Sequence, residues 1–331
     1  MSYKQEKDTA TSIAGITGKL CKDIQLEMIG SSAFHKEDRS PVTVADFSAQ
    51  AIICKFLKEK FPNDPIVGEE DSEALCSPEN SEILEKVTTC VSKSLCRSDR
   101  ETSPGEICNW IDLGNDDCAD RFWTLDPVDG TKGFIRGDQY AVALALIEKG
   151  TVKVGVLACP NLAINITGHN SKRGVIFAAV KGEGAEMRSL DNEFIKKIFV
   201  SDASSHSEAV LVEGVESGHS NHKKQSAIAD SFGITRESIR IDSQAKYGIV
   251  ARGDADIYLR LPSPKTSDYR ENIWDHAAGA LIVEEAGGAV SDIFGAPLDF
   301  TAGKKLVNNK GVVVSNGKFH NDLIKIIKDR P

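Results

Sequence analysis

The sequence predicts an α/β protein with an α+β N-terminal lobe, residues 1–199, and an α/β C-terminal lobe, residues 200–331. After Val200, short apolar runs such as AVLVE alternate with helical patterns, which is typical of α/β architecture. Before that point, consecutive strand patterns follow two helices. With 331 residues, of which 40% are hydrophobic and 27% charged, the chain is long enough to bury a large core in two lobes.

The first lobe is predicted to begin with two helices. Apolar residues recur at spacings of three and four from Ile13 to Met28, which predicts a helix with one buried stripe. A second helix over residues 46–60 would have Asp46 at or near its N-terminus. Residues 66–67 then form a short buried strand that ends in the acidic turn GEE.

Residues 72–122 have the least regular pattern of the chain. Turn residues and acids are concentrated in SPENSE, ETSPGE and LGNDDCAD, around one helix predicted over residues 83–95. We interpret this segment as an acidic insertion or lid that lies outside the core.

The elements after this insertion have clearer signals. Two strands in YAVALALIEKGTVKVGVLACP are joined at Lys149-Gly150, and GVIFAAVKGEGAEM predicts a hairpin turned at residues 182–184. In the second lobe the pattern runs from AVLVE to a helix over residues 225–232 and then to GIVARGDADIYLRL. The helical IWDHAAGALIVEEAGG, the strand GVVVSN and a helix over residues 319–327 complete it.

Charge and cysteine content limit the classes of function. A formal net charge of -9 without a basic stripe argues against nucleic-acid and membrane-surface partners. The eight cysteines form no C-x-x-C pair, so neither zinc nor a redox pair is predicted and reduced thiols are favoured. With no apolar leader and no apolar run near 18 residues, we expect a cytoplasmic protein.

Acidic residues at the ends of predicted elements suggest a metal site. Clustered carboxylate oxygens are the ligands that Mg²⁺ prefers, together with water or substrate oxygens. The acids concerned come from four separate places in the sequence: Asp46, Glu69 with Glu70, Asp126 with Asp129, and Asp275.

The stretch WTLDPVDGTKGF, residues 123–134, carries two of these acids. Pro127 fixes the backbone between Asp126 and Asp129, and the carbonyl of Val128 adds an oxygen within reach of the same ion. Gly130 and Thr131 then open a turn or helix start whose N–H groups can meet an anion. An isolated D-x-x-D-G-T is equally typical of a capped turn.

The spacing of the two aspartates argues against an aspartyl nucleophile. Phosphatases that form a phosphoaspartate carry D-x-D-G-T or D-x-D-x-T, with one residue between the acids, whereas two residues separate them here. A metal-activated water is therefore the favoured nucleophile.

Three ordered motifs resemble a known superfamily. GEE at residues 68–70, WTLDPVDGTKGF and WDHAAGALIVEEAGG at residues 274–288 resemble the lithium-sensitive, Mg²⁺-dependent phosphatases of the inositol monophosphatase and fructose-1,6-bisphosphatase superfamily. Nearly the whole chain is similar to its 3'(2'),5'-bisphosphate nucleotidase branch, through SPVTVADFSAQ, GHSNH, DSQAKY and ADIYLRLP. The resemblance implies a layered αβαβα sandwich.

The resemblance also implies a role for each acid. Asp46 and Thr131 would form the pair that activates water, and Glu70 would contact a metal through water. Two or three Mg²⁺ ions would be held by Glu69, Asp126, the carbonyl of Val128, Asp129 and Asp275.

The nucleotide contacts that the resemblance implies have structural alternatives. His219 competes with His222 and is equally a surface-loop residue, Lys246 suits a solvated helix, and Arg260 suits an ion pair at a strand edge. Asp275 can also cap a helix N-terminus. The implied contacts are Gly130, Thr131, His219, Ser243, Lys246, Arg260 and Asp275.

The activity that the resemblance implies is hydrolysis of adenosine 3',5'-bisphosphate (PAP) to AMP and phosphate. Its sulfated relative PAPS would be a second substrate, which implies a place in sulfur assimilation and inhibition by lithium and sodium. We expect a monomer that acts on a small bisphosphate nucleotide, with no nucleic-acid or membrane partner. The alternatives are an inositol polyphosphate 1-phosphatase, a dual enzyme active on inositol 1,4-bisphosphate, and a nucleotide-binding sensor without catalysis.

Overall fold

The computed structural model describes residues 2–30, 40–95, 102–166, 171–215, 222–262 and 269–329, and two β-sheets organise them. One face of the larger sheet is covered by α1, Lys4–Gly30, and α2, Ser40–Lys60. The predicted stripe of α1 is confirmed, since Ile13, Leu20, Ile24 and Met28 are all buried.

The start of α2 differs from the prediction. The helix begins at Ser40, so Asp46 lies in its second turn and not at its N-terminus. The signal for this start is Ser40-Pro41, because proline is favoured in the first turn of a helix, where its missing N–H costs nothing.

The larger sheet has seven strands that follow chain order from one edge to the other. The first two strands pair in parallel and all later neighbours pair antiparallel. The strands are β1, Ile66–Gly68; β2, Arg121–Asp129; β3, Ala141–Glu148; β4, Thr151–Ala163; β5, Arg173–Val180; β6, Gly184–Ser189; and β7, Ile195–Ile198.

Both predicted hairpins are confirmed. Lys149 and Gly150 join β3 to β4 with φ of 50° and 70°, so both residues are left-handed, as a tight hairpin turn requires. Gly182 and Gly184 have φ of 82° and 85° at the β5–β6 turn, where glycine carries little steric penalty.

Residues 72–95 and 102–122 contribute buried side chains to the core, which corrects the interpretation of the segment 72–122 as an insertion or lid outside it. They form a 3₁₀ turn, Pro78–Asn80, and two helices, α3, Ser81–Ser94, and α4, Pro104–Asp112. The missed signal for α4 is S-P-G-E, in which Ser103 and Glu106 make a capping box. Buried apolar residues of both helices join the cluster around α2: Val87, Val91, Ile107 and Ile111.

Two cysteines of this segment correct the expectation of reduced thiols. Cys76 and Cys108 form a disulfide across a sequence separation of 32, because α4 packs beside the loop that follows β1. Cys21, Cys54 and Cys159 are free and buried, as expected for small apolar residues. The cytoplasmic location stays a prediction.

The smaller sheet has five strands in the order β11-β12-β10-β8-β9. Its strands include the predicted β8, Leu211–Glu213, and β12, Val312–Ser315, with β10, Ile257–Arg260, in the interior. Two short strands were not predicted, namely β9, Ile239–Arg240, and β11, Ala289–Ser291.

Helices between and outside the sheets complete the five layers. α7, Ala245–Ala251, and α8, Ala277–Glu285, pack between the two sheets. α6, His222–Phe232, and α9, His320–Asp329, cover the outer face of the smaller sheet. The order α/β/α/β/α confirms the predicted sandwich.

The chain changes sheet near the predicted lobe boundary. All strands of the larger sheet precede residue 199 and all strands of the smaller sheet follow residue 200. One hydrophobic cluster contains residues from both sheets, so the division into two lobes stays a prediction. Among the helices described, none is long and apolar enough to cross a membrane.

Candidate active site

Most of the predicted site residues line one cleft of about 400 Å³. It is bounded by the carboxyl end of β2, the short helix α5, Thr131–Arg136, and the ends of α7 and β10. Ten of its lining residues were predicted from the sequence: Glu69, Asp126, Val128, Asp129, Gly130, Thr131, Ser243, Lys246, Arg260 and Asp275.

A bulge at the end of β2 brings both of its aspartates to the cleft. The register of β2 against β3 shifts between Asp126 and Asp129, so the two acids do not alternate as in a regular strand. The N–H of Val128 donates to Oδ1 of Asp126 at 3.1 Å and fixes the first carboxylate. The stretch is thus both a turn and part of an acidic site.

Gly130 allows the chain to turn from β2 into α5. Its φ of 95° is left-handed, and a Cβ at this position would lie 2.9 Å from Cβ of Ser243. Thr131 is the first residue of α5, exposed and facing the cleft. The turn therefore places Thr131 in the lining of the same cleft as the acids.

Three carboxylates form the centre of the site. Oxygens of Asp126, Asp129 and Asp275 all lie within 4.8 Å of one another. Burial, followed by repulsion from Glu69, raises the pKa of Asp126 well above its usual value. Burial also raises the pKa of Asp275 to about 6, although Arg260 opposes the shift.

Glu69 belongs to the same cluster. Part of its side chain reaches solvent, but removal of the rest from water, followed by repulsion from Asp275, raises its pKa to about 7. Acids that repel one another in this way are expected where a cation is to be bound. The oxygen-only donor set fits a hard divalent cation such as Mg²⁺.

The raised pKa values predict how stability depends on pH and metal. Without a metal, the folded protein binds more protons than the unfolded chain between pH ~4.5 and ~7, so its free energy of unfolding falls as pH rises through this range. Mg²⁺ should replace these protons and raise the melting temperature more at pH 8 than at pH 5. Melting curves with EDTA or Mg²⁺ at matched ionic strength test this, and parallel pH profiles would contradict it.

Asp46 lies on α2 behind this cluster. Burial, followed by the charges of Glu70 and Glu69, raises its pKa well above the usual value. Asp46 is not a lining residue of the cleft, and in the described part of the chain no hydrogen bond joins it to Thr131. The predicted pairing of these two residues stays a prediction.

Two basic residues, Lys246 and Arg260, also line the cleft. Lys246 on α7 is 8% exposed, so it is not a solvated helix lysine. Burial lowers its pKa to about 8, against the opposing charge of Asp129. Arg260 ends β10 and its Nη2 lies 2.6 Å from Oε2 of Glu271, so it forms an ion pair, although β10 is an interior strand.

A buried chain of hydrogen bonds supports Arg260. His276 is fully buried, and its Nδ1 lies 2.7 Å from the hydroxyl of Tyr247. Its Nε2 lies 3.3 Å from Oε2 of Glu271, the carboxylate that also holds Arg260. Sequence reasoning missed Glu271 and His276, which carry no signal beyond their proximity to Asp275.

The segment DSQAKY connects the acids of the two sheets. Ser243 has a φ of 71°, and its Oγ accepts from the N–H of Ala245 at 3.1 Å. The N–H of Gln244 donates to Oδ2 of Asp129, and its side-chain Nε2 donates to the carbonyl of Trp274 at 3.0 Å. Gln244, which sequence reasoning missed, thus links Asp129 to the residue before Asp275.

Three further residues named in the sequence analysis are Asp275, Glu70 and His219. The helix α8 has His276 as its N-cap residue, so Asp275 faces the acidic cluster and does not cap the helix. Glu70 does not line the cleft, and its backbone is held by Gln50. His219 lies outside the described residues.

Comparisons with known proteins show which sequences this chain is similar to. A model of the inositol monophosphatase family matches residues 5–331. A protein named 3'(2'),5'-bisphosphate nucleotidase from Schizosaccharomyces pombe is 44% identical over 95% of this chain and 92% of its own. A protein named 3'(2'),5'-bisphosphate nucleotidase 1 from Arabidopsis thaliana is 42% identical over 99% of this chain and 97% of its own.

Solved structures share the sandwich. The inositol monophosphatase of Anabaena has a TM-score of 0.62 at 21% identity and covers 100% of this chain and 98% of its own. CysQ of Bacteroides thetaiotaomicron, a member of the inositol monophosphatase family, has a TM-score of 0.61 at 21% identity, with 95% and 98% covered. At these identities the likeness shows the fold.

Proposed function

The chain belongs to the inositol monophosphatase family, and we propose that it is a Mg²⁺-dependent 3'(2'),5'-bisphosphate nucleotidase that hydrolyses PAP to AMP and phosphate. The names of its relatives support this class of activity. A single cleft lined both by a group of acids and by the basic residues Lys246 and Arg260 supports a substrate that carries two phosphate groups.

The acids and the basic residues of the cleft suit different phosphates. The acids would hold Mg²⁺ at the phosphate to be removed, where the cation offsets the negative charge of both. Lys246 would meet the other phosphate as a point charge, and Arg260 would use the fork of its guanidinium. Nη2 of Arg260 lies 2.6 Å from Oε2 of Glu271, and this ion pair would hold the guanidinium in place before substrate arrives.

The carboxylates and one carbonyl would hold the metal. Mg²⁺ bound by Glu69, Asp126, the carbonyl of Val128, Asp129 and Asp275 would supply Lewis-acid activation of water and neutralise phosphoryl charge. This set matches the described geometry, in which three of the carboxylates have oxygens within 4.8 Å of one another.

The other residues would position the reactants. Thr131 would accept a hydrogen bond from the attacking water and pass one to Asp46, which takes up the proton. The water oxygen would attack phosphorus in line as the bond to the ribose oxygen breaks. That oxygen would leave as a hydroxyl by taking a proton from solvent water, and Asp46 would return its proton to solvent. Gly130 and Thr131 would donate backbone N–H groups to the phosphate, Ser243 would donate to a phosphate or ribose oxygen, and His219 would contact the nucleotide.

The same arrangement extends to related substrates. PAPS presents the same 3'-phosphate to the acids and differs only at the group near Lys246 and Arg260, so it would be a second substrate. A nucleotidase of this kind would act in sulfur assimilation and would be inhibited by lithium. Inositol 1,4-bisphosphate also has two phosphates and is the alternative substrate.

Phosphate release from matched substrates tests the proposal. We expect rapid, EDTA-sensitive release from PAP with Mg²⁺, and a kcat/KM for adenosine 3'-monophosphate lower by ~10–100-fold, because it lacks the phosphate that Lys246 and Arg260 would bind. A large preference for inositol 1,4-bisphosphate would identify an inositol polyphosphate phosphatase instead. Nucleotide binding without phosphate release would identify a sensor.

A further inference from the structure

Gln50 is a fully buried glutamine on α2 that binds the backbone next to Glu69. Its Oε1 accepts from the N–H of Glu70 at 3.1 Å, and its Nε2 donates to the carbonyl of the same residue. Nε2 also donates to the carbonyl of Ile111, the penultimate residue of α4, at 3.2 Å. One carboxamide therefore satisfies both polar backbone groups of Glu70 and ties them to a second helix.

Two glycines make room for this carboxamide. A Cβ on Gly68 would lie 2.6 Å from Oε1 of Gln50, and a Cβ on Gly114 would lie 2.7 Å from its Nε2. The N–H of Gly68 donates to the carbonyl of Gly114 at 2.8 Å, so the two glycines are also bonded to each other. Neither has a φ in the left-handed region, so close approach and not conformation explains glycine here.

We propose that Gln50 is a positioning residue that holds the carboxylate of Glu69 on the metal site. Glu69 is flanked by Gly68, which packs against Gln50, and by Glu70, which is bonded to it. The inference rests on the proposed function, in which Glu69 binds the metal.

Charge explains why the turn needs this support. Asp275, Glu70 and Asp129 are acids as Glu69 is, and without a cation their charges oppose a negative charge on Glu69. Without Gln50, the turn that carries Glu69 would move outwards. Returning it to the site would then cost free energy and weaken metal binding. Gln50 fixes both sides of Glu69 on α2, which also carries Asp46 on the same face four residues earlier.

The inference also assigns a role to the end of the segment 72–122. Ser72, just after the Glu69 turn, donates from its N–H and its hydroxyl to Asp112 at 2.9 and 2.7 Å. The N–H of Ile66 donates to Oδ2 of Asp116 at 3.1 Å. Asp112 and Asp116 therefore hold residues on both sides of the Glu69 turn, and the segment serves as a support for the metal ligand.

The test is metal binding by Gln50→Leu, which keeps the side-chain size and removes all three hydrogen bonds. Calorimetric titration of EDTA-treated protein with Mn²⁺ and with Mg²⁺ should give affinities ~10–100-fold weaker than wild type, the range for loss of a group that orients a metal ligand. At saturating Mg²⁺ the KM for PAP should be unchanged and kcat should recover most of its value.

Asn309→Leu is the matched control. Asn309 is another buried carboxamide that accepts from the N–H of Asp299 at 2.7 Å and donates to the carbonyl of Pro297 at 2.9 Å, on a loop outside the cleft. We expect Asn309→Leu to lower the melting temperature as Gln50→Leu does, with metal affinity within twofold of wild type.

If Gln50→Leu does not fold, a second variant, Gly114→Ala, tests the inference. Gly114→Ala retains every hydrogen-bonding group and displaces the Gln50 carboxamide by contact, so it should also weaken metal binding. A folded Gln50→Leu or Gly114→Ala protein with wild-type metal affinity would overturn the inference. Failure of the proposed function would be seen in a different result, namely that the wild-type protein releases no phosphate in the presence of metal.

Discussion

Asp126→Asn should reduce phosphate release by ~10³-fold and, at the same time, stabilise the metal-free protein. Loss of a residue that only orients a metal ligand typically costs ~10–100-fold. The loss of activity here is expected to be larger, because an anionic ligand at the centre of the metal site is replaced by a neutral amide. The gain in stability follows from the raised pKa of Asp126, which is caused first by burial and then by Glu69. In the wild type, folding must either bury the charged Asp126 carboxylate or keep it protonated. Asparagine is neutral, so the variant avoids this cost.

The gain in stability should depend on pH. A raised pKa means that the folded wild type binds a proton that the unfolded chain releases, so the wild type loses stability as pH rises above ~4 until the folded pKa is reached. The melting temperature of Asp126→Asn in EDTA should therefore exceed that of wild type by more at pH 8 than at pH 5. In Mg²⁺ the order should reverse, since only the wild type gains the full metal-binding free energy.

Asp292→Asn provides the control for a buried aspartate outside the cleft. Asp292 is 2% exposed and accepts from the N–H groups of Phe294 and Ala296, each at 2.9 Å. Its replacement should lower stability and leave the kcat of the folded protein unchanged. If Asp126→Asn also destabilises the metal-free protein, then repulsion does not dominate the acidic cluster.

Elements that depend on local sequence patterns were predicted, whereas features that depend on contacts between distant segments were not. Local patterns such as the Lys149-Gly150 turn and the apolar stripe of α1 predicted their elements, because they depend on spacing along a single segment. The segment 72–122 was predicted outside the core, since its apolar positions are few and its acids many. Its burial depends on α2 and on the Cys76–Cys108 disulfide, which are contacts between distant parts of the chain.

The residues of the candidate site also fall into a predicted group and a group that sequence reasoning missed. Ten of the residues that line the cleft were predicted from motifs, whereas Asp46, predicted with them, does not line it. The residues that support them were not predicted, because Gln50, Gln244 and His276 act through hydrogen bonds to backbone or to second partners. Such partners are chosen by tertiary packing, and a glutamine or histidine within a helix gives no local sign of them.

Asp46→Asn should lower kcat for PAP by ~10²–10⁴-fold, the range for loss of a general base, with KM little changed. Asp46 lies behind the cluster and not in the wall of the cleft, so its loss should leave substrate contacts intact. Its pKa is raised by burial and by Glu70 and Glu69, and cations at these acids would remove part of that repulsion. Asp46 would then carry the negative charge that draws a proton from water through Thr131.

Variants of the partner residues separate this role from a structural one. Glu59→Gln removes a carboxylate from the same helix, at the ion pair with Lys55, and should leave kcat unchanged. Thr131→Val should reproduce the kcat loss of Asp46→Asn, while Thr131→Ser, which keeps the hydroxyl, should restore most of it. If Asp46 and Thr131 act on one water, the double variant should lose little more than either single variant, because each removal already breaks the same path. Multiplicative losses would show instead that the two residues act independently, and an Asp46→Asn protein that retains most of its turnover would exclude Asp46 as the base.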